Sequence, residues 1–104
     1  MPRIPRERKP KVVQEIAAAT GSVNVGTDFC RVDYTTTGAV TDIEFLDACV
    51  SARQTTTFTD EDGNAGTNNI TVKTTADAVI GTITEDNGTL TISSDGTTAW
   101  VVVD

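Results

Sequence analysis

Three oxygen-bearing side chains, Asp60, Asp62 and Asn64, have the spacing with which calcium-binding loops begin. Alternate side chains in such a loop converge on one hard cation, which takes oxygen ligands. The rest of the calcium pattern is missing, because Ala65 stands where the motif has glycine and Thr71 stands where it has the bidentate glutamate. We therefore interpret this stretch as a solvated turn, in which Asp and Asn bond their own backbone, and we predict no metal site.

Catalytic chemistry is disfavoured by the residue types that the chain lacks. It has no histidine, the residue that most often serves as a general acid or base near neutral pH. Cys30 and Cys49 therefore have no histidine base to activate a thiolate, and no histidine with which to form a zinc site. We predict that both cysteines are buried free thiols rather than a disulfide. The sequence predicts neither an enzyme nor a cofactor.

Charge is segregated along the chain. Residues 1–11 carry five cations against one acid, a net charge of +4, and residues 12–104 carry three cations against fourteen acids, a net charge of −11. Together they give the −7 of the whole chain. We call residues 1–11 the basic arm. All three prolines lie in the arm, which cannot bury enough apolar surface to fold alone. Its five cations are Arg3, Arg6, Arg8, Lys9 and Lys11.

The basic arm predicts an acidic partner. Nucleic acid would bind it through phosphate contacts and counterion release, and an acidic protein surface would bind it through ion pairs. A third interpretation is a solvated run of charge without a partner. We favour a protein surface and disfavour nucleic acid, because the acidic body would repel phosphates over a Debye length of about 8 Å at physiological salt.

The elements that position these residues are predicted to be short β-strands. Apolar and polar residues alternate with a period of two from Ser22 onward, and clusters of Gly, Asn and Asp separate the runs. Asn87-Gly88 is a two-residue hairpin signal, and Asp95-Gly96 predicts the next hairpin turn. The predicted strands lie at 22–25, 29–34, 39–46, 54–59, around Ile70 and Val72, and at 78–84, 89–93 and 99–103.

Strands this short and this closely spaced predict an all-β fold. We expect a small sandwich or barrel-like domain of antiparallel strands at residues 22–104, preceded by an extended arm and connector at residues 1–21. The composition of residues 12–20 fits either a short helix or an extended connector. Residues 47–53 predict an irregular or briefly helical segment. The arm lacks the apolar run of a secretory signal, and no stretch has the length of a transmembrane helix.

Four apolar residues near the end of the chain are predicted to pack. Leu90 and Ile92 share one face of a strand, while Trp100 and Val102 belong to the closing strand. Trp100 as an exposed platform for a ligand such as a sugar is the alternative. Because tryptophan is usually well buried, we assign all four residues to core or oligomer packing.

Three segments of the chain resemble a repeated pattern in structural domains of tailed phages. They are TDEDGNAGTNNITV at 59–72, GTLT at 88–91 and SDGTTAWVV at 94–102, and the similarity extends back to about Val25. Such domains occur in capsid decoration (cement) proteins, head fibres and tail-fibre segments. The resemblance implies a compact β domain that assembles as a homotrimer on a virion.

The resemblance and the basic arm together predict a capsid decoration protein on the outer surface of a phage shell. Its partner would be the major capsid protein, whose carboxylates would pair with the arm, and its function would be mechanical stabilisation of the capsid. The alternative is a head-fibre or tail-fibre module for host-surface recognition, which predicts exposed aromatic residues on the body. A third interpretation, an internal protein associated with nucleic acid, is supported only by the basic arm. We expect no membrane partner.

Overall fold

The computed structural model describes residues 11–103, which form nine short β-strands and one five-residue helix. Of the basic arm, these residues include only Lys11, so the predictions for Arg3, Arg6, Arg8 and Lys9 lie outside them. In chain order the elements are β1 (Val13–Ile16), β2 (Thr20–Val23), β3 (Phe29–Val32), β4 (Val40–Phe45), α1 (Asp47–Ser51), β5 (Thr56–Asp60), β6 (Ile70–Thr74), β7 (Val79–Ile83), β8 (Thr89–Ser94) and β9 (Ala99–Val101).

The strands form two mixed sheets, which confirms the β fold but corrects the prediction of antiparallel strands. A five-stranded sheet has the order β1-β3-β5-β8-β9, and a four-stranded sheet has the order β2-β4-β6-β7. The first six strands alternate between the sheets, so that β1, β3 and β5 are parallel, as are β2, β4 and β6. Each early connection carries the chain across to the other sheet, so the chain re-enters a given sheet from the same end. Antiparallel pairing joins β6 to β7, β5 to β8 and β8 to β9.

The two hairpin signals have different outcomes. Asp95-Gly96 lies between β8 and β9, which pair antiparallel, so that prediction is confirmed. Asn87-Gly88 connects β7 to β8, which belong to different sheets, so the hairpin predicted there is wrong. Asn87 has a φ of 58°, and the Gly88 N–H donates to the Glu85 carbonyl at 2.9 Å. The same turn chemistry that closes a hairpin here redirects the chain from one sheet to the other.

Residues 12–20, for which a helix and a connector were left open, contain strand β1. This strand pairs with β3 in parallel, and Ile16 reaches the core. Residues 47–53 contain the helix α1, so the brief helical segment predicted there is confirmed. No helix among residues 11–103 is long and apolar enough to cross a membrane.

The core lies between the two sheets and is filled by inward-facing side chains. Its largest members are Phe45 from the four-stranded sheet and Phe58 from the five-stranded sheet, both fully buried. Burial of one such side chain contributes about 1.5–3 kcal/mol. Cys30 and Cys49 are buried and free, as predicted. Burial raises the pKa of the Cys30 thiol to about 12, so this thiol stays protonated at neutral pH.

Candidate functional site

The outward face of the four-stranded sheet is polar and charged, as expected for a face in water. Lys73 of β6 forms ion pairs with Asp42 of β4 at 2.7 Å and with Asp77 at 3.2 Å. Glu44 of β4 stands beside Lys73 in the register of the two strands. The charges on this face are therefore partly paired with one another.

The outward face of the five-stranded sheet differs, because an uncharged row of residues crosses four strands and continues to a residue just beyond β9. Val13 lies opposite Phe29, Phe29 opposite Thr57, and Thr57 opposite Thr91. The Val102 N–H donates to the Thr91 carbonyl at 2.8 Å, which places Val102 beyond β9 at the end of the same row. Three of these five residues are apolar although they face outward.

Trp100 extends the apolar surface at one side of this face. It lies opposite Ser93 in the β8–β9 pairing, and 44% of it is exposed. Val102 is 40% exposed and the next residue, Val103, is 86% exposed. We call Trp100, Val102 and Val103 the β9 edge. It is an apolar surface on the last strand of the five-stranded sheet.

The four residues predicted to pack thus divide into two pairs. Leu90 and Ile92 face inward and belong to the core. Trp100 and Val102 face outward, so they do not pack in the core of this chain. Their role in contact with another copy stays a prediction.

A second apolar surface lies at the end of the same sheet where β1, β3 and β5 begin. Val12 and Val25, which are 47% and 56% exposed, line a groove of about 490 Å³ together with Ala52 and Arg53. We call it the β1 groove. Lys11, the exposed last residue of the basic arm, immediately precedes Val12.

The side chain of Gln54 fixes the wall of the β1 groove. It is buried, and its amide nitrogen donates to the carbonyls of Asn24 and Thr27 at 3.1 and 3.2 Å, while its oxygen accepts the Gly26 N–H at 2.7 Å. The loop that carries Val25 is therefore tied to the start of β5. The hydrogen bonds of Gln54 therefore fix this wall of the groove.

The carboxylate of Asp60 is used entirely within the fold. Asp60 is 1% exposed, and its two oxygens accept four hydrogen bonds, which lie between 2.6 and 3.1 Å. The backbone donors agree with the predicted turn, but the burial of Asp60 corrects the prediction that this acid is solvated. The four donors are the Thr35 hydroxyl and the N–H groups of Gly63, Ala65 and Asn87.

An acidic cluster lies at the opposite end of the five-stranded sheet from the β1 groove. Carboxylate oxygens of Glu15, Asp33 and Glu61 lie within 4.8 Å of one another. Arg31 stands among them, bonded to Glu61 and at 3.3 Å from Glu15. The hydrogen bond from Arg31 holds the pKa of Glu61 below its usual value, and the hydrogen bond with Asp62 raises the pKa of Asp33. A guanidinium therefore already provides the positive charge among these acids.

The uncharged row and the β1 groove are the features that sequence reasoning missed. The signal for the row was present, because Phe29 shares the strand face of Arg31 and not that of the buried Cys30. An aromatic residue on the polar face of a strand indicates a covered surface. The groove had no such signal, because it joins residues from three separate segments of the chain.

Comparison with known proteins identifies no relative. No protein-family model, no curated protein and no solved structure matches the chain. The resemblance to structural domains of tailed phages therefore remains a prediction from the sequence, and the functional argument depends on charge and surface chemistry.

Proposed function

We propose that this protein is a non-enzymatic decoration (cement) protein, which binds the outer surface of a phage capsid as a homotrimer and stabilises the shell. The observation that supports the proposal most directly is the segregation of charge, with +4 on residues 1–11 and −11 on residues 12–104. Like charges within the arm repel one another, which favours an extended chain. The same charges are attracted to an acidic surface outside the arm.

The position of the arm on the body supports this arrangement. The arm continues directly into β1, an edge strand of the five-stranded sheet. Lys11 lies at the start of β1, whereas Glu15 and the acidic cluster lie at its far end. The arm is thus joined to the body away from this acidic cluster.

The chemistry of the arm suits anchoring by many weak contacts. One exposed ion pair contributes about 0–1 kcal/mol, so five cations bind strongly only when they engage together. Proline restricts the backbone of an unbound chain, so the three prolines would reduce the entropy that the arm loses on docking. An arm in the seam between major capsid proteins would bridge neighbouring subunits and oppose the outward pressure of packaged DNA.

The alternative, a fibre module that recognises glycans on a host surface, has one observation in its favour. Trp100 is an exposed aromatic residue on the outward face of the five-stranded sheet, and it pairs with Ser93, which carries a hydroxyl. Aromatic faces with nearby hydroxyls suit sugar rings. Phe45 and Phe58, by contrast, are buried in the core and unavailable for such contacts.

Deletion of residues 1–11 tests the two functions against each other. The truncated protein should keep its folded β domain, because the deleted residues precede β1, but should no longer bind decoration-free shells in a co-sedimentation assay. Circular dichroism of the truncated protein is the control for folding. Full occupancy of shells by the truncated protein would overturn the proposal, and saturable binding of the intact protein to host cells but not to shells would favour the fibre module.

A further inference from the structure

Asn87 is the one asparagine of the chain that precedes a glycine. In an Asn-Gly pair the glycine nitrogen can attack the side-chain carbonyl carbon of the asparagine, because glycine has no side chain to shield that nitrogen and restricts the backbone least. Each of the other four asparagines precedes a residue with a side chain; these are Asn24, Asn64, Asn68 and Asn69. Asn87 is therefore the position at which the sequence favours spontaneous deamidation.

The side chain of Asn87 is accessible to this reaction. Asn87 is exposed, and it has a φ of 58° in the connection between β7 and β8. A Cβ built on Gly63 would lie 3.0 Å from Oδ1 of Asn87, so the carboxamide lies against a glycine of the neighbouring loop. Water can reach the carbonyl carbon that would react. Whether it reacts then depends on the nucleophile.

The nucleophile, the backbone nitrogen of Gly88, is held by the fold. Its N–H donates to the Glu85 carbonyl at 2.9 Å, and the Gly88 carbonyl accepts the Asp60 N–H at 3.0 Å. The N–H of Asn87 in turn donates to the Asp60 carboxylate at 3.0 Å. Gly88 is also tightly packed, since a Cβ there would lie 2.8 Å from Cγ2 of Ile83. Because the nitrogen must lose its proton and move toward the side chain to react, these contacts oppose the reaction.

We propose that Asn87 is a deamidation site that the closed β7–β8 connection protects, and that it reacts when this connection opens. The Gly88 nitrogen then forms a bond to Cγ of Asn87, the bond from Cγ to Nδ2 breaks, and ammonia leaves with the proton that the nitrogen lost. The product is a cyclic succinimide. Addition of water at Cγ gives aspartate, and addition at the backbone carbonyl gives isoaspartate, in which the main chain runs through the former side chain.

Either product should hinder the connection from closing again. Aspartate at residue 87 adds a carboxylate beside Asp60 and Asp86, and like charges repel. Isoaspartate adds a carbon atom to the main chain between residues 87 and 88. The N–H of residue 87 and the carbonyl of Gly88 then cannot both keep their bonds to Asp60. Deamidation would thus leave a permanent mark on chains that have opened at this end of the five-stranded sheet, and the inference is independent of the proposed function.

Mass spectrometry of the full chain tests the protection. Wild-type protein is incubated at mildly alkaline pH, either folded in buffer or unfolded in urea, and is then cleaved after Lys73, which gives a peptide whose one asparagine is Asn87. The folded chain should form aspartate and isoaspartate at least about tenfold more slowly than the unfolded chain. A synthetic peptide of residues 84–91, with and without urea, controls for an effect of urea on the chemistry. Equal rates in the folded and unfolded protein would overturn the proposal.

Substitution of Asp60 tests whether the opening is local. Asp60→Asn weakens the bonds that hold Asn87, so it should raise the rate in the folded protein at least about threefold. The matched control is Gln54→Ala, which removes buried hydrogen bonds at the other end of β5 and should react at the wild-type rate. Circular dichroism checks that both variants fold, and Thr35→Val, which removes one donor to Asp60, replaces Asp60→Asn if that variant does not fold. An equal rise in Gln54→Ala, or none in the Asp60 variant, would contradict local opening.

The stability of the modified chain tests the consequence. Isoaspartate-containing protein, separated by chromatography, should have a lower urea midpoint than the wild type. Asn87→Asp carries the new charge without the extra backbone atom, so its midpoint should lie between the two. Asn87→Gln should stay unmodified through the same incubation, because its longer side chain disfavours the ring. A wild-type midpoint for the isoaspartate form would show that the connection closes as well as before and would overturn this consequence.

Discussion

At the scale of single residues, Asp60 holds together three connections of the fold. Its carboxylate accepts hydrogen bonds from Thr35 after β3, from Gly63 and Ala65 after β5, and from Asn87 after β7. Burial raises the pKa of the Asp60 carboxyl, but the hydrogen bonds from these four donors outweigh it and hold the pKa below its ordinary value. The charged form is therefore the one that the fold requires.

Asp60→Asn should lower the free energy of unfolding at pH 7 by about 2–4 kcal/mol. The amide nitrogen of asparagine is a donor, so it cannot accept the hydrogen bonds that one carboxylate oxygen of Asp60 accepts. Urea denaturation measures the loss. The matched control is Glu85→Gln, the same change from carboxylate to amide at an exposed residue, which should stay within about 0.5 kcal/mol of the wild type.

The pH dependence of this loss follows from the direction of the shift. Because the folded-state pKa of Asp60 is depressed, its contribution is present above the unfolded-state pKa of about 3.9 and is lost as the pH falls through the folded-state pKa. The stability difference between the wild type and Asp60→Asn should therefore be constant from pH 7 to about pH 5 and shrink below about pH 4. A difference that stays constant down to pH 2 would contradict this role of the carboxylate.

The sequence contained the signal for the inward direction of Asp60 but not for its partners. Thr56, Phe58 and Asp60 alternate along β5, and all three are buried, so a strand extended by one residue would have placed the carboxylate on the core face. As the first acid of a predicted turn, Asp60 was instead expected to lie in solvent. The donors lie in three distant loops, and their approach depends on a topology that local spacing does not encode.

At the scale of elements, strand existence was predictable from the sequence and strand order was not. Period-two alternation located β3 to β9 because each strand buries one face. It carries no information on whether consecutive strands share a sheet, since a turn such as Asn87-Gly88 serves a hairpin and a crossing between sheets equally well. Strand β1 was missed as a strand because Ala17–Ala19 favour helix locally, while its pairing with β3 decides the outcome.

The packing of β7 against β8 and β9 of the other sheet leaves room at one position only for a glycine. A Cβ on Gly81 of β7 would lie 2.6 Å from Cγ2 of Val101 and 3.1 Å from both terminal methyls of Leu90. Gly81→Ala should lower the free energy of unfolding by about 1–3 kcal/mol, because the added methyl forces β7 and β9 apart. The shift in the urea midpoint measures this loss.

Gly38→Ala provides the comparison for Gly81→Ala. A Cβ on Gly38 meets only Cε1 of Tyr34, at 3.8 Å, which is an ordinary contact. This variant should equal the wild type or gain up to about 1 kcal/mol, since alanine restricts the unfolded chain. Equal stability of the two alanine variants would show that the edges of the sheets do not need the glycine.

At the scale of the whole molecule, the candidate site is a division of charge and apolar surface, and these were predictable to different degrees. The division of charge was predictable from the sequence, because it follows from the positions of the acids and cations along the chain. The apolar surfaces were not, because Val12 and Val25 meet in one groove only after the starts of β1, β3 and β5 come together, and Trp100 faces outward only through the register of β9 with β8.

The basic arm combines charge with stiffness, and two variants of the full chain separate these properties. Replacing its five cations by glutamine should weaken shell binding by at least about tenfold at low salt and leave binding that is nearly independent of salt, because the ion pairs are gone. Replacing its three prolines by alanine should weaken binding through the entropy of a more flexible arm, by about 0.4–1 kcal/mol per proline, with the salt dependence unchanged. Titration of fluorescently labelled protein onto shells at several salt concentrations measures both. Wild-type salt dependence in the glutamine variant would show that the arm does not bind through its charge.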